Sequence, residues 1–147
     1  MRSFAAVIFR RIASKTRKTD NSENTDMFIS LSNDQASIIR QKLLETLNSE
    51  TDKAVRNKIS DAVAEVARQY TEHSESWSDL LAVLFQLSMA QEAGKRETAF
   101  RVFTTTPGII EKQHEEAVAQ AFIKGFQDDS VAVCNLAARY RRCRLLT

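Results

Sequence analysis

The chain has 147 residues, of which 43% are apolar, enough to build the core of one ordinary domain and to exclude a disordered chain. Only three Gly and one Pro occur, so helix propensity outweighs the turn-rich patterns of β-sandwiches and barrels. Residues 19–138 hold all 19 acidic side chains but only 11 basic ones. This acidic body argues against a nucleic-acid-binding domain, which needs a basic face.

Signatures of enzymes, metal sites and membrane spans are missing from the sequence. The longest strongly apolar run is Phe4 to Phe9, far shorter than the roughly 20 residues that cross a bilayer, so we expect no membrane insertion. Neither the two cysteines nor the two histidines show the spacing of metal ligands or of a catalytic pair. The scattered glycines cannot form a phosphate-binding loop. We therefore expect no catalytic residue, no cofactor and no metal.

The first predicted helix covers residues 2–15, and its apolar residues share one broad face. These residues are Phe4, Ala5, Ile8, Phe9 and Ile12. The segment 1–18 also carries six Lys or Arg and no acid, which is typical of a mitochondrial presequence. We prefer an ordinary amphipathic helix, with a small mitochondrially targeted helical protein as the alternative. Residues 16–33 are polar and predict a loop.

Six further helices are predicted between residues 34 and 138 because apolar residues recur there every three or four positions. They pair into three hairpins with short turns. Thr51 or Asp52 is expected to cap the second helix of the first hairpin, and Ser76 with Asp79 has the spacing of a capping box. Pro107 ends the fifth helix, since the motif Pro-Gly cannot continue it.

Equivalent positions of the three hairpins recur at a regular distance. Val55, Lys95 and Val133 start the second helix of each hairpin. Their spacing gives a period of about 40 residues, near that of HEAT and armadillo repeats and longer than that of ankyrin and tetratricopeptide repeats. The sequence therefore predicts an all-α, HEAT-repeat (armadillo-like) α-solenoid of antiparallel helix hairpins. A closed helical bundle is the alternative, since the same apolar stripes would serve it.

Four blocks of the sequence resemble the importin-β (karyopherin) family, of the importin-5 type and especially its fungal members. The blocks are residues 2–12 (RSFAAVIFRRI), 55–67 (VRNKISDAVAEVA), 77–81 (WSDLL) and 96–107 (RETAFRVFTTTP). By comparison with the family's pattern, residues 1–15 are expected to be the second helix of a truncated HEAT repeat. Residues 34–138 are expected to hold about three HEAT hairpins. Residues 139–147 depart from the pattern and are expected to form an atypical basic tail.

The resemblance implies a role in nuclear protein import. Members of the family bind cargo proteins with basic import signals, contact nucleoporin repeats and release cargo when Ran-GTP binds their amino-terminal arch. The implied location is the cytoplasm, the nucleus and the nuclear pore. No nucleic acid is expected among the partners. A general HEAT-repeat protein-interaction scaffold without Ran binding is the alternative.

Partner contact is expected on the second helix of each hairpin, which usually faces the concave side of a HEAT solenoid. The outward charged positions of these helices form the candidate binding residues. They are Arg56, Asp61, Glu65 and Arg68 in the first hairpin and Arg96, Glu97 and Arg101 in the second. For any single one of them, the alternative is a solvated face supported by charge pairs along the helix.

Overall fold

The computed structural model describes residues 2–18, 24–26, 28, 30–110 and 114–144, with the backbone alone at residues 3, 16–18, 24–26 and 141–144. Seven α-helices lie within these residues. They are α1 (Arg2–Ala13), α2 (Asn33–Ser49), α3 (Lys53–Glu72), α4 (Ser78–Ser88), α5 (Ala93–Thr105), α6 (Glu115–Phe126) and α7 (Val131–Arg144). The chain divides into two compact units, Met1–Ser76 and Trp77–Thr147.

The stretch predicted as a polar loop contains a short hairpin. Strand β1 (Thr16–Lys18) pairs antiparallel with β2 (Asn24–Asp26). The sequence predicts no strand here, because its polar residues lack the alternation of a half-buried strand. Beyond β2, the buried Phe28 ring meets the ring of Tyr70 edge-on, with 5.8 Å between the ring centroids. The hairpin therefore leads the chain back to the core of the first unit.

Helix α3 is the centre of the first unit, and both α1 and α2 pack against it. Its N-cap is Asp52, one of the two residues predicted to cap it. The Asp52 carboxylate accepts a hydrogen bond from the Val55 amide at 2.9 Å. Its apolar residues Val63 and Val66 are fully buried. Residues at this helical spacing lie on one face, so burying them fixes which side of α3 is the core.

Two polar contacts fix the ends of α1 and α3. The Gln69 amide, fully buried on α3, donates from Nε2 to the Ala13 carbonyl at 2.6 Å and satisfies a group that the end of α1 leaves without a partner. Helix α3 ends where Ser74 takes a left-handed conformation, with φ at 58°. The Glu75 amide then donates to the Tyr70 carbonyl at 2.8 Å, which is the bonding of a Schellman motif.

In the second unit, α4 packs on α5 and α6, and α7 packs on α5 and α6. The predicted capping box at the start of α4 is wrong. Trp77, not Ser76, is the N-cap, and no side chain caps the helix. Because the Trp77 ring is buried, its burial rather than a hydroxyl sets how the chain enters α4. Within α4, Leu80 and Leu84 are fully buried.

An aromatic cluster fills the space between α5, α6 and α7. The Phe100 and Phe122 rings meet edge-on at 5.0 Å, and Phe122 stacks on Tyr140 at 4.0 Å. Tyr140 is buried and belongs to α7, which continues to Arg144. The backbone of residues 139–144 is thus ordinary helix rather than a separate tail, because the Tyr140 ring completes the core. Residues 145–147 of the predicted tail lie outside the described residues.

Between α5 and α6 a 3₁₀ helix covers Pro107–Ile109, where the sequence predicts that α5 must end. None of the helices within the described ranges is long and apolar enough to cross a membrane. The same part of the chain holds no group of three or more His, Cys, Asp or Glu side chains that could bind a metal ion.

Candidate protein-binding site

Two of the predicted binding residues close hairpin turns instead of facing outward. The Arg56 guanidinium donates from Nη1 to the carbonyls of Glu50 and Thr51 at 3.4 and 3.1 Å. Arg56 is buried, so its prediction as an outward residue is wrong. Carbonyls at the end of a helix have no partner within that helix, and the long Arg side chain turns back to satisfy them.

Arg96 forms the same bonds in the next hairpin. Its Nη1 donates to the carbonyls of Ala90 and Gln91 at 2.9 and 2.5 Å, six and five residues before it, as for Arg56. Its Nε and Nη2 also bind Asp128 at 2.6 and 2.9 Å. We call each such set of side-chain bonds around a hairpin turn a turn latch. The latch holds most of the donors of Arg96 within the second unit.

Asp61 and Glu65 lie on the side of α3 that meets α1, with 15% and 13% of their side chains exposed. A charged cleft of about 330 Å³ lies between the two helices. It is lined by Val7, Arg10, Arg11, Ser14, Lys58, Asp61 and Glu65. Arg10 and Asp61 form an ion pair of 3.8 Å across it. The cleft thus presents carboxylates and guanidinium groups side by side.

Glu65 stays ionised within this cleft. Burial of its carboxyl favours the neutral acid, but hydrogen bonds from Arg68 and Gln69 outweigh it and leave the pKa of Glu65 below its ordinary value. Arg68 contacts Glu65 at 2.7 Å and also pairs with Glu72. The hydrogen bonds that Arg68 donates to these carboxylates raise the pKa of Arg68. Glu65 therefore keeps its negative charge at neutral pH while it binds Arg68 and Gln69.

Glu97 and Arg101 are half-buried on α5. Arg101 lines a smaller cleft of about 280 Å³ between α5 and α7, together with Thr104, Thr105, Leu136 and Arg139. Two arginines on one cleft suit an acidic group of a partner. Of the seven predicted residues, Asp61 and Glu65 thus share the charged cleft of the first unit, while Arg101 lies at a different cleft in the second.

Sequence reasoning missed the contribution of α1 to this surface. Arg10 and Arg11 line the charged cleft, although their charge suggested only a solvated face or a presequence. Their spacing along α1 gives no signal of the helix opposite.

Comparison with known proteins assigns the chain to a family. Residues 51–140 match the family described as IPO5-like, TPR repeats. The chain belongs to this IPO5-like family. The spacing of its two arginine latches, at Arg56 and Arg96, is about 40 residues, which is typical of HEAT repeats and longer than a tetratricopeptide repeat.

One relative of the IPO5-like chain is an importin subunit. The chain is 28% identical to importin subunit beta-3 of Saccharomyces cerevisiae over 139 residues, which cover 92% of this chain and 12% of that protein. The crystal structures of Kap121p and of Kap121p bound to Nup53p each match with a TM-score of 0.76, at 25% and 26% identity. Both matches cover 94% of this chain and 12% of theirs. The predicted family and the all-α HEAT-repeat solenoid class are confirmed.

Proposed function

We propose that this chain acts in nuclear protein import as part of an importin-β-type receptor that binds Ran-GTP and cargo proteins with basic import signals. The proposal assigns it a binding role, without a catalytic residue, and a location in the cytoplasm, in the nucleus and at the nuclear pore. Because the chain spans only 12% of the relatives it matches, the activity is proposed for the chain in the context of the full-length receptor.

The observation that carries the proposal is the charged cleft on α3. Asp61 and Glu65 stand one helical turn apart on one face, and the depressed pKa of Glu65 keeps its charge in place. Fixed charges of this kind speed the association of a charged protein partner and orient it, more than they raise the equilibrium affinity. Arg10 and Arg11 on the opposite wall add donors for acidic groups of the same partner.

The test reverses both carboxylates, Asp61→Lys and Glu65→Lys, within the full-length receptor. We expect the affinity for Ran-GTP to fall by about tenfold or more, because like charges then face each other across the interface. Equilibrium binding by surface plasmon resonance measures the change. Unchanged affinity, with a normal circular dichroism spectrum, would remove the charged cleft from the Ran-binding surface.

A matched control reverses two exposed carboxylates outside the cleft, Glu75→Lys and Glu116→Lys. It changes the net charge by the same amount, so a loss of affinity common to both variants would indicate bulk electrostatics rather than a site. Ran should bind in its GTP-bound state and much more weakly with GDP. Equal capture of both states would favour the alternative, an adaptor without a role for Ran.

Nucleoporin segments are a second proposed class of partner. The supporting observation is that a similar structure is of Kap121p bound to Nup53p. Binding of a nucleoporin repeat peptide to the full-length receptor, measured by calorimetry, tests this part of the proposal.

The mitochondrial alternative has its own experiment. Fusion of the whole chain to a fluorescent reporter should leave the reporter outside mitochondria, because Arg10 and Ala13 contact α3 and hold α1 in the folded first unit. Delivery to the matrix would favour the presequence.

A further inference from the structure

An apolar groove of about 500 Å³ lies open on the first unit, between α1 and α2 and above α3. Ile59 and Ala62 of α3 form its floor, Ala5 and Phe9 line the α1 side, and Ile38 lines the α2 side. Ile38 is 69% exposed. A concave apolar surface of this size is costly to leave in water, which marks it as a binding surface.

The second unit shows which helices correspond to those around the groove. In the first unit, Glu50 accepts from the Asp52 amide at 3.0 Å and pairs with Arg2 at 3.0 Å. In the second, Asp128 accepts from the Ser130 amide at 2.8 Å and pairs with Arg96. In both units, a carboxylate in a hairpin turn thus accepts from the amide two residues later in the chain. The same carboxylate binds an arginine of the helix that precedes the hairpin.

These bonds match α1 with α5, and the hairpin of α2 and α3 with that of α6 and α7. The packing agrees, since α1 and α2 lie on α3 as α5 and α6 lie on α7. The second unit has one more helix, α4, which packs on both α5 and α6. The position of α4 therefore corresponds to the groove between α1 and α2.

Helix α4 shows what such a groove binds. Its buried side chains recur at helical spacing and are large and apolar: Leu80, Leu81, Leu84 and Leu87, with Trp77 just before the helix. A short turn joins α4 to α5, which returns along it. Like the buried face of α4, the walls of the open groove are mainly apolar. Three charged residues also line the groove: Arg2, Lys42 and Glu50.

We propose that the apolar groove of the first unit binds an amphipathic helix of the α4 type, with a leucine-rich stripe and three turns, antiparallel to α1. The proposed occupant is a helix other than the described helices of the first unit. The alternative occupant is a second copy of the chain, and the test distinguishes the two. The inference does not depend on the proposed role in nuclear import.

The probe is a synthetic peptide of residues 76–90 of this chain, carrying a fluorophore, titrated with the full chain and followed by anisotropy. We expect saturable binding. Ile38→Glu should weaken it at least about tenfold, because the helix would bury an unpaired charge. Val131→Glu, which places the same charge at an exposed position at the start of α7, should leave it unchanged, and a peptide with Leu84→Glu should not bind.

A second measurement covers the case in which the isolated peptide stays unfolded, as short helices do in water. Residues 76–92 are repeated directly before Arg2, so that the added helix is present at high effective concentration. This should raise the melting temperature by several degrees, and Ile38→Glu should cancel the rise. No rise in the melting temperature, or peptide binding insensitive to Ile38→Glu, overturns the proposal. A dimer that Ile38→Glu dissociates in the absence of peptide also overturns it and assigns the groove to a second copy.

Discussion

Single side chains close the hairpin turns of this chain, and they do so at equivalent positions. Arg56 and Arg96 both reach the carbonyl six residues before them. In the third hairpin the equivalent residue is Cys134, whose Sγ contacts the Asp128 carbonyl at 2.9 Å, also six residues back. A thiol is a weak hydrogen-bond donor, so the third turn depends more on the ion pair of Asp128 with Arg96.

That ion pair should make the stability of the chain depend on pH. Hydrogen bonds from Arg96, acting against burial, hold the pKa of Asp128 below its ordinary value. The pair thus contributes stability that is present above about pH 4, the pKa of an unfolded Asp, and is lost as the pH falls through the lower pKa of the folded state. Asp128→Asn should lower the free energy of unfolding at pH 7 by about 2 kcal/mol, and the difference from the wild type should shrink below about pH 4.

Urea denaturation at several pH values measures this difference. Glu116→Gln removes an exposed carboxylate of α6 and should change stability by less than about 0.5 kcal/mol. A constant difference between Asp128→Asn and the wild type from pH 7 to pH 3 would contradict the pKa argument.

The sequence predicts which residues are charged but not which way a long side chain turns. Asp61 and Glu65 border the charged cleft, with 15% and 13% of their side chains exposed. Arg56 sits on the same helix, yet it is buried, because carbonyls of the preceding turn lie within its reach. A helical pattern contains no information about those carbonyls, so the inward turn of Arg56 could not be predicted from it.

At the scale of elements, helices were predictable where apolar spacing and caps agree. Helix α3 begins after the predicted cap Asp52, and α5 ends before Pro107. The short β1 and β2 strands carry no apolar alternation and were missed. The length of α7 depends on the Tyr140 ring stacking on Phe122, a contact between helices that local pattern cannot reveal.

The Phe100 ring of α5 packs directly against Gly125 of α6. A Cβ there would lie 2.6 Å from the Phe100 Cζ, inside van der Waals contact, and Phe100 is held in the aromatic cluster. Gly125→Ala should therefore destabilise the chain by about 1–3 kcal/mol, although Ala is the better helix former. Thermal unfolding followed by circular dichroism measures the change.

The control for Gly125→Ala is Ala119→Gly at an exposed position of the same helix. It measures helix propensity alone and should cost up to about 1 kcal/mol. If Gly125→Ala instead stabilised the chain by a similar amount, the close packing of α6 on Phe100 would be contradicted.

At the scale of the whole molecule, the chain covers 12% of its relatives and leaves apolar residues exposed in both units. In the second unit these include Ile123 and Phe126, which lie three positions apart on α6 and so on one side of it. Helix hairpins of a repeat protein bury their apolar faces against neighbours, and such a face without a neighbour promotes association.

We expect the isolated chain to self-associate through this side of α6. The weight-average sedimentation coefficient should rise with concentration, and the double variant Ile123→Glu, Phe126→Gln should reduce the rise. Ile38→Glu, in the apolar groove of the first unit, should not. A single monomeric species over the whole concentration range in analytical ultracentrifugation would refute this expectation.

The turn latches also restrict how the chain can vary in length. Each arginine satisfies carbonyls five and six residues before it, so one inserted residue would rotate the donor away from both acceptors. The carboxylates of Glu50 and Asp128 each accept from the amide two residues later in the chain. An inserted residue would break that hydrogen bond as well. These hairpin turns therefore accept exchanges of residue type more readily than insertions or deletions.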